Sequence, residues 1–343
     1  MTLKSLTINV IMIAVSIAVS ALAIEFGTRF LYPALAPSGQ IRFVAGKGDM
    51  PDLGPKNTTL RQIKNTGDFD VSVKFNKYGL RDSKDFAEST PEDYFVVGDS
   101  LSFGWGVEEN QRYSDLLQAV LKRPVYNLCI PGGFDNFEKT INYAKQHGAK
   151  VKKLIMAISM GHNLAIYEDK GKAEDKPPPP TALGFLRSIK PILTSNSAFY
   201  FLVTSFIHKN DGLKKFATDW GLITPNLEGI AHKAYSPAVI ESTAQRAARL
   251  ARQYDTLVLI APSRALWFGT EEEKKTARRI HREFIARLAE LGLKVVDVRT
   301  TFEKEADPLK NYFVNDGHWS PQGHAAAAKA LIKYLGAPGK KAP

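Results

Sequence analysis

Tyr94-Phe95-Val96-Val97-Gly98-Asp99-Ser100-Leu101-Ser102-Phe103-Gly104-Trp105-Gly106 is the stretch from which the rest of the chain is read. Four residues rich in β-formers run into a Gly-Asp-Ser turn, and an amphipathic helix pattern begins shortly afterwards. An α/β protein presents a side chain at the carboxyl end of a strand in this way. Ser100 is the residue so presented. A serine hydroxyl is a weak nucleophile until a neighbouring base takes its proton, so the reading needs a base elsewhere in the chain.

From Tyr94 onward, short apolar strands alternate with helical patterns. The expected elements are strand Tyr94–Val97, a helix near 111–121, strand 125–130, a helix near 136–147 and strand Lys153–Ser159. After a break the rhythm resumes with a helix near 237–254, strand 256–261, a helix near 271–291, strand 294–298 and a last helix over Pro321–Leu335. Such alternation predicts a three-layer α/β/α domain over residues 91–335, with a parallel sheet of about five strands in flavodoxin-like order. The break, residues 167–235, opens with a charged stretch and Pro177-Pro178-Pro179-Pro180 and then turns aromatic. It reads as an insertion, either a lid over a site or an extra helical layer. Residues 34–90 read as an irregular, Gly/Pro-punctuated extension with one half-buried edge strand over 69–75 and a turn over 76–82. The Gly/Pro/Lys tail, 336–343, is expected to be disordered.

The base stands near the carboxyl end, in Asn315-Asp316-Gly317-His318-Trp319-Ser320-Pro321. An Asp and a His two residues apart in an extended loop point to the same side. The carboxylate can then orient the imidazole while the other ring nitrogen faces a nucleophile. Asn315 occupies the place that a longer acid-to-histidine spacing would use. Only a carboxylate stabilises the imidazolium that forms on proton transfer, which selects Asp316. His324, at the start of the last helix, is expected to pack or cap.

These blocks resemble the SGNH/GDSL hydrolase family across roughly residues 94–335, as a membrane-anchored bacterial member. The resemblance implies that Ser100 is the nucleophile, with Asp316 and His318 completing a triad, and that its own backbone N–H is an oxyanion donor. Asn127-Leu128-Cys129-Ile130-Pro131-Gly132 matches the second block and implies a donor at the Gly132 backbone. Gly161-His162-Asn163 matches the third and implies a donor at the Asn163 side chain. That block usually continues into Asp, where this chain has Leu164. The turn over 76–82 is similar to what precedes this domain in membrane-anchored members. Trp105, Trp319 and His162 flank the blocks as candidates for lining a substrate pocket, with core packing as the other reading for the two tryptophans.

Residues 6–24 carry no charged side chain and approach the ~20 residues that cross a bilayer. Lys4 precedes the run, and Glu25 and Arg29 follow it. Residues 1–33 therefore read as an uncleaved anchor with the amino terminus in the cytoplasm, or as a secretory signal cut near Ala21-Leu22-Ala23. Either way the remainder is expected outside the cytoplasmic membrane, in the periplasm or beyond. Lysines and arginines exceed acidic residues, 46 against 35, but they are scattered, and no nucleic-acid partner is expected. A single cysteine, Cys129, excludes an internal disulfide. No zinc-protease helix motif, phosphate loop or dinucleotide fingerprint is present, so no metal or cofactor is expected.

The expected activity is that of an exported serine esterase that removes small acyl groups, O-acetyl above all, from an envelope or extracellular carbohydrate. An acylated lipid is the other substrate class. The same triad also serves an O-acetyltransferase of a cell-surface polysaccharide, working beside polysaccharide-biosynthesis partners. A non-catalytic carbohydrate-binding protein on the same fold is the remaining alternative.

Overall fold

The structure is a computed structural model and describes residues 3–35, 41–167, 192–193, 196–220 and 236–336. They fall into two compact units. The larger is built on a sheet whose three central strands are buried on both faces, which is why they read as near-continuous apolar runs. Its strands are β3 (Tyr94–Val97), β4 (Val125–Asn127), β5 (Lys153–Ser159), β6 (Asp255–Ala261) and β7 (Lys294–Asp297). They lie in the order β4-β3-β5-β6-β7 with all pairings parallel. The chain starts at β3, steps out to β4, then crosses back past β3 to β5. The carboxyl end of β3 is therefore the point where the winding reverses, and a crevice opens there in sheets of this order.

Alternate strand residues feed two cores. Phe95, Val97, Leu154, Met156, Ile158, Val258 and Ile260 pack with helix α4 (Phe134–Gln146) and the helices Pro237–Ala251 and Glu271–Glu290. Val96, Ile155, Ala157, Leu257, Leu259 and Val296 pack on the other face with helix α3 (Tyr113–Leu121) and the helix Pro321–Leu335. Three layers result, as the alternation predicts.

Most of the extension, Ile41–Gln62 and the residues from Asp68 on, is knit into this unit. Strand β2 (Asp70–Lys74) pairs with β1 (Thr59–Ile63), a strand absent from the sequence reading. Val73 and Phe75 enter one core, and Leu53, Tyr78, Leu80 and Phe86 enter the other. The physical reason is area: a partly apolar segment of this length gains more by covering the domain than by staying in water.

The smaller unit holds helix α1 (Leu3–Leu31) with the helices Ala198–Lys209 and Asp211–Asp219. Within α1, Thr7–Leu31 is long and apolar enough to cross a membrane, a property that anchors and signal segments share. The Glu25 carboxylate accepts from the Ser197 hydroxyl at 2.8 Å and from the backbone N–H groups of Ala198 and Phe199 at 2.9 and 3.2 Å. It thereby caps the N-terminus of the helix Ala198–Lys209 from another segment. The described part of the insertion thus packs with α1. Its proline run and the tail beyond Gly336 lie outside the described residues.

Candidate active site

Ser100 opens a one-turn helix, α2 (Ser100–Phe103), directly after β3. Asp99 caps that turn by accepting the Leu101 N–H at 3.0 Å, and Gly104 closes it in the left-handed region at φ 83°. Gly98 is needed for close approach. A Cβ there would meet Ser102 Oγ at 2.5 Å, so any larger residue would push the turn away from the strand. The Asp99 carboxyl is fully buried, and burial raises its pKa against the opposing charges of His162 and His318. Among the described residues no donor reaches its second oxygen.

His318 arrives on the loop between Asn311 and the helix Pro321–Leu335. Tyr312 and Trp319 bridge the base of that loop, and the Phe313 N–H donates to the His318 carbonyl at 3.0 Å. His318 Nε2 lies 2.8 Å from Ser100 Oγ, and its Nδ1 is hydrogen-bonded to Asp316 Oδ1. The His318 backbone N–H donates to the same Asp316 oxygen at 3.0 Å. With the ring proton on Nδ1 facing the carboxylate, Nε2 is left to accept from the serine hydroxyl. Asp316 is 1% exposed, and the Trp105 indole lies over the imidazole at 5.6 Å between centroids with 25° between planes.

The two other blocks follow the strands on either side of β3. Gly132 comes just after β4, in the positive-φ region at 148°, where a Cβ would meet the Asn136 side chain at 2.3 Å. Asn163 comes just after β5, and its Oδ1 accepts the Ser159 N–H at 2.7 Å, leaving the amide NH2 as the free end of the side chain. His162 beside it is exposed, and Trp105 is half-buried.

Trp319 is placed differently from its pocket-lining reading. It is 1% exposed and rings Tyr113, Phe302 and His324 surround it, so it packs the core. Its bulky indole is what wedges the loop onto the last helix. His324 is fully buried and accepts from the Tyr113 N–H at 3.3 Å. Burial, then the nearby Arg112 and Arg81 charges, push its pKa down to about 3.

Three supports escaped the sequence reading. The Arg264 guanidinium donates to the carbonyls of Val314, Phe313 and Asp316 at 2.9, 3.2 and 3.3 Å, clasping the histidine loop. Asn127 donates to the Ser102 carbonyl at 2.8 Å, and its own N–H is taken by the buried Asp82 at 2.6 Å. Arg81, fully buried, donates to the carbonyls of Gly104 and Val107, both at 2.6 Å. Burial, with Arg112 nearby, lowers the Arg81 pKa to about 9. The signal was position: Arg264 follows the end of β6, and Arg81-Asp82 close a turn already read as one. Among the described residues no cluster of His, Cys, Asp and Glu is arranged for a metal ion.

A parallel sheet of this order, with a Ser-His-Asp hydrogen-bond chain at its switch point, defines an SGNH hydrolase-like fold. Residues 223–341, which hold the last of the four blocks and none of the other three, match the model of the family described as SGNH hydrolase-like domain, acetyltransferase AlgX. No curated protein matches the chain. Among solved structures, the chain is similar to a member of the lipolytic G-D-S-L family from Veillonella parvula. That likeness has 13% identity and a TM-score of 0.41, and covers 70% of this chain and 96% of that one. It is also similar to an acetylxylan esterase from Geobacillus stearothermophilus, at 13% identity and a TM-score of 0.38, covering 71% of this chain and 94% of that one.

Proposed function

We propose that this chain is a membrane-anchored, exported enzyme of acyl transfer that works through an acyl-Ser100 intermediate. The continuous hydrogen-bond chain Ser100–His318–Asp316 carries the reading. As Ser100 Oγ attacks an ester carbonyl, its proton passes to His318 Nε2 and the carbonyl oxygen becomes an oxyanion. The backbone N–H groups of Ser100 and Gly132 and the Asn163 amide are the donors assigned to that oxygen, and losing one such donor typically costs about 10²–10³ in rate. Collapse breaks the bond to the alcohol, which leaves with the proton from His318. Water, activated by the same imidazole, then releases the acid and restores Ser100.

The substrate favoured is a small O-acyl ester, O-acetyl above all, on an envelope or extracellular carbohydrate. The word acetyltransferase in the description of the matched family supports a second reading, in which a sugar hydroxyl takes the place of water and receives the acyl group. Partners in polysaccharide biosynthesis belong to that reading.

The test is hydrolysis of p-nitrophenyl acetate by the full chain in detergent, with fluorophosphonate labelling of Ser100 alongside. Ser100→Ala is expected to abolish both, and equal rates in the two proteins would sink the assignment. Addition of a polysaccharide acceptor then separates the readings, because a transferase moves acetyl to the sugar while an esterase releases acetate.

A further inference from the structure

Each of the helices Ala198–Lys209 and Asp211–Asp219 exposes an apolar stripe that the chemistry above does not use. Phe199, Val203 and Phe206 are spaced by four and three residues and share one side of the first helix, with Phe206 63% exposed. At about 100° per residue this side is roughly opposite the buried Ala198, Phe201 and Thr204. Leu213, Phe216 and Trp220, spaced by three and four residues, share one side in and just after the second helix, and Trp220 is 71% exposed. The rings of Phe216 and Trp220 lie 5.5 Å apart. Monomeric soluble proteins seldom leave so many large apolar side chains together in water.

The position of this face along α1 says what covers it. Residues 6–24 are uncharged and, at 1.5 Å per residue, extend about 28 Å, close to the ~30 Å hydrocarbon thickness of a bilayer. Glu25, the first charge beyond them, is therefore at the lipid–water boundary, and it holds the start of the helix Ala198–Lys209 through the Ser197, Ala198 and Phe199 bonds. Arg29 adds a bond to the Asn196 carbonyl at 2.6 Å. The helix pair is thus pinned at the depth where aromatic side chains are favoured. Its charges nearly balance, Lys209, Lys214 and Lys215 against Asp211 and Asp219, so apolar area and not attraction to anionic headgroups drives the contact.

We infer that residues 198–220 form an interfacial helix pair that lies on the phospholipid surface α1 enters, with Phe199, Val203, Phe206, Leu213, Phe216 and Trp220 inserted among the acyl chains. The inference rests on the anchor reading of α1, and the experiment separates the two. Variants that each add one cysteine, Phe206→Cys, Phe216→Cys, Ile17→Cys and Ala289→Cys, carry an environment-sensitive fluorophore on it, while native Cys129, 1% exposed, stays unlabelled. Each full-length protein is reconstituted into phospholipid vesicles containing lipids spin-labelled near the headgroup or deep in the acyl chain. The probes at 206 and 216 are expected to be quenched about threefold or more above the probe at 289, most strongly by the shallow label. The probe at 17 is expected to be quenched most by the deep one. Quenching at 17 with none at 206 and 216 overturns the inference and leaves the anchor standing. No quenching at 17 removes the anchor reading and the inference with it. A blue shift at 206 and 216 without quenching means that protein covers this face, which also overturns the inference.

Discussion

Asp316 and Asn315 are neighbours in sequence, yet their contacts differ in kind. The Asp316 carboxylate faces the His318 ring from a buried position, whereas the Asn315 backbone N–H donates to the Asp68 carboxylate at 3.1 Å. In the proposed reaction the carboxylate holds the imidazole in the tautomer that can accept from Ser100 and offsets the charge that develops on it. Asp316→Asn is expected to lower kcat by roughly 10⁴ with little change in KM. Asn315→Ala is expected to stay within about fivefold of the parent, since a position outside the proton path contributes only through loop geometry. Steady-state kinetics on p-nitrophenyl acetate decide both. A reversed order of effects would move the acid to another residue.

At the scale of the element, the ends of the histidine loop are anchored by Tyr312, Phe313 and Trp319, and the carbonyls between them depend on Arg264. One buried guanidinium satisfies three carbonyls within a loop too tight to pair them internally, and its planar fork suits that task better than an ammonium. Arg264→Met leaves those carbonyls unpaired. The variant is expected to lose about 3 kcal/mol of unfolding free energy by urea titration, and kcat is expected to fall at least ~10-fold at nearly unchanged KM. Arg264→Lys, which keeps a charge and fewer bonds, should fall between the two. Arg81 plays the matching part for the loop after α2, so the turn 76–82 serves the nucleophile from outside the sheet.

At the scale of the whole molecule, the domain carries a buried histidine between two helices that cover the same face of the sheet. His324, on the last helix, accepts from the N–H of Tyr113 at the start of α3. Its pKa of about 3 in the folded chain stands below the ordinary 6.5. The unfolded chain therefore takes up a proton that the folded chain refuses. The stability due to this neutral histidine is complete above pH 6.5 and is lost as pH falls toward 3. Linkage puts the loss between pH 7 and pH 5 at about 2 kcal/mol. The urea midpoint of the parent is expected to drop over that interval, and His324→Gln is expected to drop less by about that amount. Equal drops in the two proteins would place the acid sensitivity elsewhere.

The order of strands and helices was legible because each element announces itself locally. Tyr94–Val97, Lys153–Ser159 and Pro321–Leu335 stand where the apolar runs and the Ser320-Pro321 start signal put them. That Ser100, His318 and Asp316 would meet in one hydrogen-bond chain was legible for a related reason, since few residue types can form such a chain. What escaped was every residue whose role depends on a partner distant in sequence. β1 needed β2 to become a strand, and Arg264 met its three carbonyls some fifty residues on. Local propensity and side-chain chemistry are carried by neighbours in sequence, so the sequence by itself determined the strand-and-helix order and the residues of the Ser-His-Asp chain. Burial and long-range hydrogen bonds exist only after the chain has closed on itself. The tertiary structure alone therefore decided which residues hold the reacting groups in register and which faces remain uncovered.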